Sequence, residues 1–282
     1  MHTVESLNVT VLCENTAGKR SVLGEHGLSL WVEADGRCLL FDTGQGRTLA
    51  HNVEALGVPL ERAEAIVLSH GHYDHAGGLP AALAQAGGAK LYAHPAALEA
   101  KYAREPKPPH RYLGVPREAE ARPARSGRFV PTPAPTEVLP GVFVTGQIPR
   151  QCPAEAGPTG YYVDATCARP DPLLDDQAMY VLCAEGVVVL LGCAHAGVVN
   201  TLDFVAATTG RSQIHAVLGG MHLGAALPAR LAATADALTR YGVRLVAPCH
   251  CTGAQAVAYL WSRFPRQWVP CSAGDRFRFR GR

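Results

Sequence analysis

The chain has 282 residues, 48% of them hydrophobic and 18% charged, and a formal net charge of +2. Whole-chain charge therefore argues neither for nor against nucleic acid, while the length builds one large core or two small ones. No run of 18 apolar residues and no basic-then-apolar leader occurs, so neither a membrane span nor a signal peptide is expected; nine cysteines without a secretory signal read as reduced thiols, and the cytoplasm is the expected location.

Residues 7–15, LNVTVLCEN, have strand character. GLSLWVEADGRCLLFDTG (27–44) reads as two strands joined at Asp35-Gly36, a dipeptide that tolerates positive φ in a hairpin. TLAHNVEALG (48–57) suits a short helix stopped by Gly57, AEAIVLS (63–69) a buried strand, LPAALAQAGG (79–88) a helix with a glycine stop, and AKLYAHP (89–95) a strand.

The pattern then breaks. Residues 104–140 hold nine prolines and the cations Arg104, Lys107, Arg111, Arg117, Arg122, Arg125 and Arg128. Such a stretch sustains neither helix nor central strand. It reads as a surface insertion, or as a basic lid over an anionic substrate.

The second half repeats the order of the first. VFVTG (142–146) is a strand, and 177–193 is a hairpin-like pair turning at Glu185-Gly186. VVNTLDFVAATTG (198–210) is a helix, IHAVLGG (214–220) a buried strand, and LPARLAATADALTRYG (227–242) a helix capped by Gly242. VRLVAPC (243–249) is a strand and AQAVAYLWSRF (254–264) a helix, with QWVPC (267–271) and RFRFR (276–280) as final edge strands. Strands paired by hairpins, followed by strand–helix alternation in each half, predict an α/β fold of two packed sheets with helices outside.

Four strand ends finish in histidine followed by small or turn-forming residues: LSHGHYDHAGG, LLGCAHAG with His195, LGGMHLG with His222, and APCHCTG with His250. Ligands bind beyond the carboxyl ends of strands in α/β sheets, so these histidines are expected to meet. His70 and His72 flank one glycine and can aim at one ion; Asp74 and His75 are adjacent and can face a second. Gly71, Gly77 and Gly78 permit the tight backbone. Imidazole and carboxylate suit zinc first, with iron or manganese as alternatives. His94, His110 and His215 read as ordinary polar histidines. Cys249 and Cys251 flank His250, and the loop is expected to aim His250 alone at metal. Thr252 and Gly253 open the last helix, and Asn200 and Thr201 an earlier one; their N–H groups are candidate phosphate sites.

HGHYDH has the form His-x-His-x-Asp-His and resembles the signature of the metallo-β-lactamase superfamily. FDTG (41–44) is similar to that superfamily's early Asp-x-Gly element, which places Asp42 beside the metal. SHGHYDHAGGL, GCAHAGVVNTL, GGMHL and PCHCTG together resemble the branch named for 7,8-dihydropterin-6-methyl-4-(β-D-ribofuranosyl)aminobenzene-5′-phosphate synthase. The resemblance implies an αββα sandwich of two similar halves with helices outside, formed by residues 1–282 as a single domain with the Pro-rich segment as insertion or lid. It implies two divalent ions, one on His70, His72 and His195 and the other on Asp74, His75 and His250. It also shows a departure: Cys193 stands where a bridging aspartate is expected, and reads as either a thiolate bridge or a small buried residue.

The expected activity is hydrolysis of a phosphorylated or other anionic small molecule through a metal-bound hydroxide. Asp74 orients the nucleophile, Asp42 fixes a histidine tautomer, and His222 is a ligand or a proton donor. The alternative is transfer: an arylamine displaces pyrophosphate from a dihydropterin diphosphate. A di-iron redox protein and a non-catalytic metal or ligand sensor are readings from other classes. The expected partner is an anionic, pterin-like or other small molecule, without nucleic acid or membrane; the oligomeric state is left open.

Overall fold

A computed structural model describes residues 2–117, 127–155, 157 and 159–280. The hairpin at Asp35-Gly36 forms as expected, both residues having positive φ, and joins β2 (Ser29–Ala34) to β3 (Arg37–Phe41). With β1 (Ser6–Cys13) these strands run antiparallel, and β4 (Ala65–Val67), β5 (Lys90–Ala93) and β8 (Phe129–Pro131) then continue from β3 in parallel. The second sheet follows the same plan. β9 (Thr136–Leu139), β10 (Val142–Val144), β12 (Met179–Cys183) and β13 (Gly186–Leu191) are antiparallel, and β14 (Ile214–Gly220) and β15 (Leu245–Cys249) continue in parallel. The final strand, β16 (Arg276–Arg280), crosses back to pair with β1; only its two phenylalanines are buried.

The sheets pack face to face. Val9, Val11, Leu30, Val32, Leu39, Phe41 and Val67 of the first meet Val142, Val144, Met179, Val181, Val188, Leu190 and Leu218 of the second. The other faces take the helices. α1 (Leu49–Leu56) and α3 (Leu79–Gln85) cover Trp31, Leu40, Ile66 and Leu91. α4 (Val198–Thr209), α5 (Pro228–Arg240) and α6 (Ala254–Arg263) cover Val187, Val189, Val217 and Val246. This is the αββα sandwich expected. Strands buried on both faces explain why the runs read as continuously apolar rather than alternating.

Four local expectations are corrected. The Pro-rich stretch is not one lid: β8 and β9 build the edges of the two sheets, positions where a proline costs no ladder hydrogen bond. Its residues 118–126, with Glu118, Glu120, Arg122, Pro123 and Arg125, lie outside the described residues. β12 and β13 pair up to Cys183–Gly186, so their turn is Ala184-Glu185. QWVPC makes a single bridge, Val246 to Trp268, and no strand. α3 ends at Ala86, ahead of its glycines. The sequence also gave no sign of a small third sheet, β6 (Tyr102–Ala103), β7 (Arg111–Tyr112) and β11 (Tyr161–Tyr162). Among the described residues no helix is long and apolar enough to cross a membrane.

Candidate metal centre

The carboxyl ends of β3, β4, β13, β14 and β15 deliver Asp42, residues 70–75, Cys193 with His195, His222 and His250 to one edge of the sandwich. The short helix α2 (Tyr73–Ala76) starts within HGHYDH and turns Asp74 and His75 inward. Positive φ at Asp42, Ala194, His222 and His250 marks four of these strand ends. Left-handed backbone is unfavourable for such residues, and it is held here by the packing around the cluster. Gly71 is needed for a different reason from that expected: a Cβ there would lie 2.0 Å from the Ala97 carbonyl oxygen, so close approach rather than unusual φ excludes a side chain.

Ligand-type atoms collect in overlapping groups whose members lie within 4.8 Å of one another. One is His70, His72 and His195; another is Asp74, His75 and His250; Cys193 joins His70 and His75 in a third and so stands between the two. The rings face one another with nitrogen against nitrogen: His70 Nε2 to His72 Nδ1 is 3.0 Å, and His75 Nε2 lies 3.0 Å from His250 Nε2 and 3.1 Å from Cys193 Sγ. Two nitrogens on one tetrahedral zinc, at Zn–N of about 2.0–2.1 Å, sit about 3.3 Å apart. His72 Nε2, both ring nitrogens of His195 and His222 Nδ1 are buried with no hydrogen-bond partner among the described residues. Buried polar atoms seldom remain so. Orphaned imidazole nitrogens beside a thiol and a carboxylate fit a divalent transition metal.

Asp42 settles two tautomers at once. Its carboxylate only accepts, so His75 donates from Nδ1 to Oδ2 at 2.7 Å, and Ser69 donates from its amide to Oδ1 at 2.6 Å and from its hydroxyl to Oδ2 at 2.7 Å. The Ser69 hydroxyl, its proton spent, accepts from His70 Nδ1 at 2.9 Å. Both histidines are left with a free Nε2 aimed at the centre, one in each ligand group. His250 is oriented from the end of β1: its amide donates to Glu14 at 2.7 Å, and its Nδ1 donates to Asn15 Oδ1 at 3.0 Å. Burial pushes the His75 imidazolium down, but the charge and hydrogen bond of Asp42 outweigh it and hold His75 at about 9. Burial, then neighbouring rings, keep His70 and His195 well below the ordinary histidine value. Burial would raise Asp74, yet hydrogen bonds from His250 and His26 hold it well below the carboxylate range.

The triplet Asp175-Asp176-Gln177 ties the loops together. Asp175 accepts from the Gly71 amide at 2.8 Å, between the two ligands His70 and His72, and pairs with buried Lys101 at 3.0 Å. Asp176 accepts from Ala196 beside His195, at 2.8 Å. The Gln177 amide donates to Ser69 O, and its side chain to Leu68 O.

Some sequence-level expectations fail here. Cys251 is not turned away: residues 250–252 form a 3-10 turn, so Cys251 joins Cys193 and His250 in one ligand-type group, and the His222 amide donates to its Sγ at 3.3 Å. The Thr252 hydroxyl donates to Cys249 O and accepts from the Met221 amide, which leaves the expectation for the Thr252 amide as it stood. Gly253 lines a separate cavity, with Glu14 and Trp268. At the start of α4, the carboxylate of Glu155 already takes the amides of Val199 and Asn200, at 2.9 Å each, and Thr201 N donates to Gly197 O. A phosphate would meet an acid there. Two residues were missed. His26, alone in a loop with no neighbouring signal, lies 3.2 Å from Asp74. Tyr161 of the small sheet tilts over His72 at 4.9 Å and stands edge-on to His195 at 5.4 Å. They line a cavity of about 190 Å³ over the centre together with Asp74, Cys193 and Arg111. His222 is at the site as expected, its ring 4.4 Å from that of His195.

A family model described as the metallo-beta-lactamase superfamily matches residues 23–159. The sequence is 28% identical to the 7,8-dihydropterin-6-methyl-4-(beta-D-ribofuranosyl)-aminobenzene-5′-phosphate synthase of Methanocaldococcus jannaschii, over 98% of each chain. It is 30% identical to MJ0448, an uncharacterized protein of the same organism, over 89% of this chain and 93% of that one. Among solved structures, Tm1679, described as a metal-dependent hydrolase of the beta-lactamase superfamily, matches with a TM-score of 0.81 at 30% identity, covering 96% of this chain and 98% of the other.

Proposed function

The chain belongs to the metallo-β-lactamase superfamily, and from that premise we propose that it is a dinuclear metal-dependent hydrolase of a phosphorylated or similarly anionic small molecule. One observation carries the reading: two triads, His70/His72/His195 and Asp74/His75/His250, with Cys193 between them and buried ring nitrogens lacking any other partner. A mixed nitrogen, sulfur and carboxylate donor set suits zinc, with iron or manganese as alternatives. When bound, such ions supply Lewis acidity toward phosphoryl oxygens and make water acidic.

The protein's own groups do the rest. Asp74 accepts a hydrogen bond from the attacking water and orients it. His26 lies 3.2 Å from Asp74 Oδ2, the oxygen that also faces His250. Burial would lower His222, but its interaction with Cys251 outweighs this and raises it, which suits the ring to act as a proton donor toward a leaving group. Arg111, from the basic segment, lines the opening and favours an anion. The whole-length similarity to the M. jannaschii synthase, together with the Tyr161 ring over the centre, supports the second reading, attack of an arylamine on a dihydropterin diphosphate with pyrophosphate as the leaving group.

Metal analysis of the purified protein, joined to turnover of phosphoester, lactone and thioester panels, tests the proposal. Two equivalents of metal are expected in the wild type and fewer in Cys193→Ser. Consumption of a pterin diphosphate only when an arylamine is present would replace the hydrolase by the transferase.

A further inference from the structure

Beyond His195 and His222 the cleft opens into a second cavity of about 390 Å³, which shares Tyr161, His195, His222 and Cys251 with the cavity over the ligands. Among the described residues its far wall carries one cation, Arg230, beside small residues, Gly224, Ala225 and Ala226 among them. Arg230 Nε is buried without a hydrogen-bond partner, and among the described residues no carboxylate lies within 4.0 Å of this guanidinium. Glu155, an acid whose field it feels, has both oxygens committed to the amides of Val199 and Asn200. Arg150 Nε is also buried without a partner, but its terminal nitrogens donate to the carbonyls of Pro172 and Leu173; Arg211 donates to that of Cys183, and Arg37 pairs with Glu64, whereas no such partner engages the Arg230 guanidinium among the described residues. An unpaired guanidinium facing a cavity that adjoins a metal centre is suited to a planar, two-point grip on a phosphate.

We propose that this cavity is a second phosphate site, in which Arg230 holds a phosphate of the substrate other than the one that reacts. The inference rests on the phosphate-directed reading above and narrows it: the substrate class becomes a diphosphate, or a molecule with two phosphate groups, lying across His195 and His222. The reacting group sits over the ligand triads, and the remote group sits beyond them. Tyr161, common to both cavities, covers the passage between the two.

Inorganic pyrophosphate is the probe, titrated calorimetrically into metal-replete protein and into protein treated with chelator, with inorganic phosphate in parallel. Arg230→Gln is expected to weaken pyrophosphate binding by about 10- to 100-fold in both forms, with metal content unchanged. Arg230→Lys, which keeps the charge and loses the fork, should recover part of that affinity, and it carries the test if the glutamine variant does not fold. Pyrophosphate affinity within twofold of wild type in either variant overturns the site. So does pyrophosphate binding no tighter than phosphate. The two proposals fail separately. Loss of binding in Arg230→Gln, with no phosphoester turned over by the wild type, leaves the pocket standing and removes the hydrolase. Phosphoester hydrolysis with KM and pyrophosphate affinity untouched by Arg230→Gln does the reverse.

Discussion

On the wall built from the first sheet, four ligand-type side chains lie within six residues, and their backbone and ring nitrogens are held by Asp42, Ser69 and Asp175. On the opposite wall, Cys193, His195, His222, His250 and Cys251 come from three separate strand ends, with positive φ at 194, 222 and 250 and ring nitrogens left without partners at 195 and 222. The first wall is oriented before any ion arrives. The second holds three of the four positive-φ strand ends, both thiols of the ligand groups and the opening to the larger cavity. Each ligand group draws on both walls, and the second wall also borders the larger cavity, where it sets which molecule the centre accepts.

If the first wall carries the chemistry, Asp74→Ala should have the largest effect, lowering kcat/KM by about 10²- to 10⁴-fold. Unchanged turnover and unchanged metal content in that variant would remove the assignment. The link between the walls comes next. Lys101 is buried and pairs with Asp171 at 2.9 Å and Asp175 at 3.0 Å, while Asp175 also holds Gly71. Lys101→Met leaves two buried carboxylates without a cation and should cost roughly 3–5 kcal/mol in denaturant unfolding. A loss below about 1 kcal/mol would mean that water already reaches the pair.

The contrast between the walls also explains what could be read in advance. HGHYDH was legible because its ligands are contiguous and follow an apolar strand. His195, His222 and His250 were legible only as strand ends, a property of α/β topology. Cys251 was misread because the chain after β15 curls into a 3-10 turn, which brings residues 250 and 251 to the same centre. The phosphate position at Asn200 failed because a helix start binds whatever acceptor folds back to it, and Glu155 lies 45 positions away. Arg230 looks like any exposed helical arginine until the cavity beside it is seen.

Asp42 serves one ligand in each triad, so Asp42→Asn tests whether the first wall orients the whole centre. Metal affinity should fall roughly 10- to 100-fold for both ions. Loss of one ion only would confine Asp42 to His75 and break the relay through Ser69 to His70.

The smallest expected effect is one of pH. His75 has an ordinary value of 6.5 and stands at about 9 in the folded, metal-free chain. A raised value means that the protonated His75–Asp42 pair stabilises the metal-free protein fully below pH 6.5, and that this contribution is lost as pH rises through about 9. A metal must displace that proton to reach Nε2, because the ring binds as neutral imidazole. Burial has already left His70 and His195 neutral in this window. Metal affinity should therefore climb with pH between 6.5 and 9 as His75, and Cys193 where it binds as thiolate, give up protons, while the melting temperature of chelator-treated protein falls over the same range. Both slopes should flatten in Asp42→Asn, where His75 loses the strongest of the charges that hold its proton. An affinity that is flat across this window in the wild type would mean that His75 binds no metal, and the second triad would then have to be rebuilt on His250 and the thiols of the opposite wall.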